Sequence, residues 1–329
     1  MKPLELTLAI GDYDQTRDVA HGVVRAEAIA LRWLNLPVEE IFYRFIKYRE
    51  WDISEMSFGK FAAFMASDDR RFVAIPVFPS RVFRLSSFYV STRGRIRSAD
   101  DLAGARIGIP EWGQTASIYT RGYIAHELGV PLTEIEWVQA GVNQAGRVEK
   151  TQFTFPQGVR YRSEPARTLD EMLQAGAIDV ALTARPPRSF SEGSDAVTRL
   201  FPDFRAREDA YFRKTGVFPV MHVLAMKREV YEAHPWIAMN LMKAFEEAKA
   251  RSLVRLSDIT ASHLPLPWIP DYLGSVRELM GVDPWPYGIE PNRRTLEAFL
   301  QFAFEQGICQ RQLAPADLFV PEVQTTFKV

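Results

Sequence analysis

Strand-length apolar runs alternate with helix-period segments along most of the chain. LELTLAIG (residues 4–11), ALRWLNL, WDISEMS and FVAIPVF (72–78) predict strands by their length and alternation. Between them, PVEEIFYRFIKYREW places Ile41, Phe45 and Tyr48 at helical spacing behind two early acidic residues, and FGKFAAFMAS forms a second helix. SSFYV predicts a further strand. Beyond Val90 the polar STRGRIRSADDLAG, with a capping signal at Ser98, leads into the strand RIGIP and the helix-period EWGQTASIYTRGYIAHELGV. EIEWVQAG, TLDEMLQAGAID and VALTA then predict strand, helix and strand. FPVMHVLAM is a strand without a partner in that second series, and from HPWIAMNLMKAFEEAKARSL onward the pattern is mainly helical.

One α/β series interrupted by another, with the chain then returning to the first, predicts an α/β protein with mostly parallel sheets in a two-lobed clamshell. The expected lobes are 1–94 with 218–329, the discontinuous one with a helical C-terminal extension, and 95–217, with a ligand cleft between them. Ligands of parallel sheets lie beyond the carboxyl ends of the strands. The polar residues there are Asp12 and Asp14, Ser54, Glu55 and Ser57, Arg81 and Arg84, Glu111, Gln114, Thr115 and Ser117, and Thr183 and Arg185, with His222 in the returning strand. Arg81 and Arg84 stand among Phe, Val and Pro, where two cations ask for an anion.

Bulk properties narrow the classes. The 329 residues exceed the size at which one core usually keeps growing. Forty Lys and Arg against 41 Asp and Glu leave a net charge of −1, which argues against nucleic acid or an acidic membrane as partner, so any anion site is local. Cys309, the one cysteine, admits no intrachain disulfide. MKPLELTLAIGDYD makes a poor secretory signal, and no run approaches the ~18 apolar residues of a membrane span, so a cytoplasmic protein is expected. Dinucleotide, P-loop and zinc-binding motifs are absent, which leaves no cofactor or metal suggested. His21, His126, His234 and His263 read as surface residues, and helical stripes rich in Trp, Phe and Met in the C-terminal half predict a homo-oligomer.

The segments GDYDQTR, DISEMS, VAIPVFPSRVFR, GIPEWGQTASIYTRG, FPVMHVLAM and WPYGIEPNRRTLEAF occur in order, and with them the chain resembles the 4,5-dihydroxyphthalate decarboxylase family from about residue 6 to about residue 320. PVFPSRVFR and EPNRRTLEA are the most specific. The resemblance implies the fold of type II periplasmic solute-binding proteins and the non-oxidative loss of one carboxyl group from a dihydroxylated phthalate, a small aromatic dicarboxylate, to give protocatechuate. No redox or electron-sink cofactor is needed for that reaction. It needs a base near a ring hydroxyl, an acid above the ring carbon and cations for the carboxylate that stays.

Each candidate has a structural rival. His222 is expected to transfer the proton, or else is a hydrogen-bonded core histidine within VMHVL. Glu55 is a base for a hydroxyl or the partner of an arginine. Asp12 is a catalytic candidate and Asp14 a binding one, though either residue readily caps a turn. Arg81, Arg84, Ser54, Glu111, Thr115, Ser117, Thr183 and Arg185 are the remaining substrate-binding candidates; Thr115 and Ser117 compete with helix capping, and Arg185, held extended by Pro186, competes with a surface role. WPYGIEPNRRTLEAF is expected to pack the C-terminal helix on the first lobe. A binding protein without catalysis, or a lyase for another hydroxylated aromatic acid, are the alternative functions.

Overall fold

The computed structural model describes residues 2–149 and 153–324. The chain begins with β1 (Leu4–Ile10), α1 (Arg17–Ala20), β2 (Ile29–Asn35), α2 (Val38–Tyr48), β3 (Ile53–Ser57), α3 (Phe58–Ala66) and β4 (Phe72–Ile75). It continues through β5 (Phe88–Ser91), β6 (Arg106–Ile109), α4 (Thr115–His126), β7 (Glu136–Gly141), β8 (Arg160–Thr168), α5 (Leu169–Gln174), β9 (Val180–Leu182), α6 (Arg188–Ser191), β10 (Val197–Arg199) and α7 (Phe204–Thr215). It ends with β11 (His222–Lys227), α8 (Arg228–Ala233), α9 (Ile237–Ser257), α10 (Ile269–Met280) and α11 (Arg293–Glu305).

Two compact units divide these elements. The first takes the described residues within Met1–Arg81, Val220–Leu296 and Ala314–Val329, and the second takes those within Val82–Pro219 and Glu297–Leu313. The first unit's sheet runs β2-β1-β3-β11-β4. β1 is parallel to β2 and β3, and β11 enters antiparallel between β3 and β4. All five residues of β3 are buried, and Ile41 and Phe45 of α2 are wholly enclosed on this unit's core, where the Phe45 and Phe72 ring centroids lie 4.6 Å apart. β4 stops at Ile75 because Pro76 has no N–H to continue a ladder.

The second unit's sheet runs β10-β5-β9-β6-β7-β8, parallel among β9, β6, β7 and β8, with β5 antiparallel to β9 and β10. α5 covers it with Leu169, Met172 and Leu173 on Val138, Ala140 and Ala181. Gly108 of β6 permits that approach, since a Cβ there would stand 2.6 Å from the Leu169 side chain.

Three expectations from the sequence change. Residues 82–94, β5 among them, pack with the second unit rather than the first. Residues 297–313 do too: Phe299 and Phe302 of α11 lie against Tyr119 of α4, with ring centroids 4.9 and 6.5 Å away, instead of packing that helix on the first unit. β8, β10 and α7 went unread. RYRSEPART of β8 is a sheet edge with mostly exposed side chains, so it carries no apolar alternation.

Candidate functional site

In the first unit, the carboxyl ends of β1 and β3 bring a buried carboxylate, a phenol and an imidazole together. Alternation along β3 sends Ser54 and Glu55 to opposite faces. Ser54 turns into the core, where its hydroxyl accepts from Trp51 Nε1 at 3.1 Å and donates to the Glu55 carbonyl. Its hydroxyl is thus engaged inside the first unit. Glu55 takes the other face with a side chain that is 0% exposed.

The register of β11 on β3 explains how His222 reaches Glu55. Leu224 stands opposite Glu55 and His222 opposite Ser57, so Glu55 and His222 are diagonal neighbours on one face of an antiparallel pair, within reach of long side chains. His222 Nδ1 lies 2.5 Å from Glu55 Oε1. The same oxygen accepts from the Tyr13 hydroxyl at 2.6 Å, and Oε2 accepts from the Gly11 backbone N–H at 2.8 Å. A carboxylate can only accept here, so Nδ1 carries the hydrogen. The imidazole is therefore held in one tautomer, with Nε2 bare when neutral and a donor when protonated. Nε2 has no hydrogen-bond partner among the described residues, and the side chain is 18% exposed. Phe42 packs edge-on against the ring at 4.8 Å.

Tyr13 was not among the residues singled out from the sequence. Burial above all, then the Glu55 charge, pushes its phenol well above the usual tyrosine range, so it remains a donor; the Ser80 side chain also hydrogen-bonds it. Its signal was its place between Asp12 and Asp14, directly after β1. Asp12 is exposed and has no hydrogen bond or ion pair among the described residues, and Asp14 is engaged elsewhere, accepting from Ser252 Oγ and from Arg255 of α9. Tyr13 between them points to Glu55, while Asp14 ties the turn to α9.

Arg81 is engaged within the protein. Its guanidinium is only 5% exposed and donates to Asn292 Oδ1 at 2.7 Å and to the Pro286 carbonyl at 3.2 Å, inside the first unit. In the second unit, Arg84 is half-buried, and burial lowers its guanidinium to about 10 against the opposing pull of the Glu208 carboxylate. Glu111 is buried against Arg147, which reaches its Oε1 at 2.8 and 2.9 Å, so its charge is already matched. Thr115 and Ser117 are buried in the first turn of α4, whose N-cap Gln114 makes no side-chain cap. The Thr183 hydroxyl donates to the Arg185 carbonyl, and the Arg185 side chain is exposed. Among the described residues, no group of three His, Cys, Asp or Glu side chains is placed to hold a metal ion, and no helix is long and apolar enough to cross a membrane.

Two α/β units of this topology, both discontinuous in sequence, have the fold of periplasmic binding proteins, and the first of them carries a buried carboxylate–imidazole pair. Solved structures agree on the fold. The periplasmic aliphatic sulphonate binding protein SsuA of Escherichia coli matches with TM-score 0.55 at 14% identity, over 98% of this chain and 99% of that one. The alkanesulfonate-binding protein SsuA of Xanthomonas axonopodis matches at 0.52 and 12% identity, over 97% and 99%. No family model matches the sequence. Among curated proteins, the 4,5-dihydroxyphthalate decarboxylase of Comamonas testosteroni is 37% identical over 330 aligned residues, covering 100% of both chains. That of Pseudomonas putida is 32% identical over 65% of this chain and 83% of its own. The chain belongs to the 4,5-dihydroxyphthalate decarboxylase family.

Proposed function

We propose that the protein decarboxylates 4,5-dihydroxyphthalate without oxidation, releasing carbon dioxide and 3,4-dihydroxybenzoate (protocatechuate), with His222 as the proton donor. The observation that carries the site assignment is the hydrogen bond from His222 Nδ1 to a Glu55 carboxylate that Tyr13 and Gly11 also hold. In the substrate each carboxylate is para to a ring hydroxyl, so a phenolate drives electron density onto the carbon that bears the carboxylate. Imidazolium Nε2 delivers its proton to that carbon. The carbon–carboxylate bond then breaks, its electron pair restores the aromatic ring, and carbon dioxide leaves. Glu55 stabilises the imidazolium before transfer and keeps Nδ1 protonated after it, as carboxylate partners of catalytic histidines do. Arg84 and Arg185 are the guanidinium groups this reading assigns to the substrate carboxylates, with Thr115, Ser117 and Thr183 as polar contacts.

The test is carbon dioxide release and product analysis with a panel of hydroxylated phthalates. Protocatechuate from the 4,5-isomer is expected, and recovery of that ligand intact overturns the reading in favour of a binding protein. His222→Asn is expected to fold and bind, yet to lose at least ~10²-fold in kcat. A stable variant with normal turnover removes His222 from the mechanism. The same reading makes the enzyme cytoplasmic and homo-oligomeric. Ile259, Trp268 and Val282 of the first unit, 86%, 76% and 85% exposed, support self-association, and a monomer by light scattering at micromolar concentration contradicts it.

A further inference from the structure

Two of the segments that carry the family resemblance, PVFPSRVFR and WPYGIEPNRRTLEAF, are hydrogen-bonded to each other within the first unit. Arg81 donates to Asn292 Oδ1 and the Pro286 carbonyl, Trp285 Nε1 donates to the Phe78 carbonyl at 2.9 Å, and the Gly288 N–H donates to the Pro76 carbonyl at 2.9 Å. Asn292 is itself locked, since its amide donates to the Pro286 and Gly288 carbonyls at 2.9 and 2.8 Å. The segment so fixed, 76–81, bears directly on the proton-transfer group. The Ser80 carbonyl accepts the backbone N–H groups of Met221 and His222 at 2.9 and 3.2 Å, and the Ser80 side chain hydrogen-bonds Tyr13, which shares Glu55 with His222. Arg81 also forms the antiparallel bridge with Val220, two residues before His222.

We propose that Arg81 and Asn292 form a positioning clamp: through Ser80 they set the place of His222 at the start of β11, and Arg81 is not a ligand of the substrate. This rests on the assignment of His222 as proton donor. A buried, planar guanidinium held by two acceptors in fixed directions suits such a task, because its geometry transmits to the backbone on either side of it. Asn292 is the second residue to test, since it bonds both Arg81 and its own loop.

The experiment compares Arg81→Met, Arg81→Lys and Asn292→Ala in the full chain by three readouts: the dissociation constant for 4,5-dihydroxyphthalate, kcat, and the imidazole N–H resonance assigned by its loss in His222→Asn. Arg81→Met and Asn292→Ala are expected to share one signature. Binding stays within about threefold, kcat falls about tenfold or more because a small misplacement of a reacting group is costly, and the His222 N–H signal shifts or broadens. Arg81→Lys, which keeps a donor, should recover part of the loss. A large rise in the dissociation constant for Arg81→Met alone makes Arg81 a ligand and overturns the clamp. Variants that unfold more easily but keep kcat per folded molecule and an unmoved His222 signal also overturn it. If the wild type releases no carbon dioxide, the proposed reaction fails, whereas the His222 signal still decides whether the clamp holds that ring.

Discussion

Replacing Glu55 by Gln keeps the side chain's shape and removes its charge at a position with no solvent access. The carboxylate accepts from three donors: Gly11 N–H, the Tyr13 hydroxyl and His222 Nδ1. A primary amide offers one accepting oxygen and places an NH2 where the other oxygen stood, so at least one of the three donors must face another donor. Hydrogen bonds to a charged group contribute about 1.5–3 kcal/mol each, and a buried donor left unpaired costs about 1–3 kcal/mol. The one donor left facing another donor therefore sets the expected cost, at about 1–3 kcal/mol. Glu55→Gln should therefore unfold at clearly lower urea concentration and, with the tautomer of His222 no longer fixed, lose about 10²-fold or more in kcat if His222 is the proton donor proposed above. Urea unfolding and turnover measured on one preparation, with the Glu55→Gln/His222→Asn double variant, complete a cycle whose coupling should reach about 1 kcal/mol or more. A Gln variant with an unchanged urea midpoint and more than about a tenth of wild-type turnover would refute the reasoning about the shared carboxylate.

Two further outcomes follow from the second unit. Burial works to raise the Asp179 carboxyl, but the side-chain and backbone hydrogen bonds from Arg106 outweigh it and hold the group below its ordinary 3.8. A depressed carboxyl stabilises the fold above its unfolded value and loses that contribution as pH falls through the lower folded value, so Asp179→Asn should flatten the acid limb of stability below about pH 4, and an unchanged limb in urea melts would contradict the pairing. At Gly122 a Cβ would stand 2.3 Å from Phe302 Cδ2, where α4 meets α11. Gly122→Ala should cost about 1–3 kcal/mol of stability, part of it recovered by Phe302→Leu, and wild-type stability in the single variant would show that the contact yields freely.

The layering was legible because it rests on periodicity, which is local. The runs that became β1, β3, β4, β6, β7, β9 and β11 are apolar enough to announce themselves, whereas RYRSEPART of β8 owes its strand to pairing with β7 alone. The site was legible in its members more than in its wiring. Glu55 and His222 stood out by position and residue type, but the diagonal that joins them is fixed by antiparallel register across 167 residues of sequence. Ser54 and Glu55, adjacent in sequence, take opposite faces because along a strand the next residue faces away. The bond from Arg81 to Asn292 was invisible because its partner lies 211 residues downstream, and no local pattern records such a bond.

The antiparallel entry of β11 between β3 and β4 also bears on how the protein is made. A ribosome extends a chain from its N-terminus, so β1 to β4 emerge with a gap in the middle of their sheet, and the whole of the inserted stretch from Val82 to Pro219 is synthesised before the strand that fills it. Until then β3 and β4 each present an unpaired edge, and Glu55 has no imidazole beside it. The inserted series carries all six strands of its own sheet, so that sheet can pair first, although residues 297–313 complete its unit only later. Assembly of the Glu55–His222 pair and completion of the first sheet are thus a single late event. The nascent protein cannot display its chemistry on a half-built scaffold, and its most aggregation-prone interval lies between the appearance of β4 and the arrival of His222.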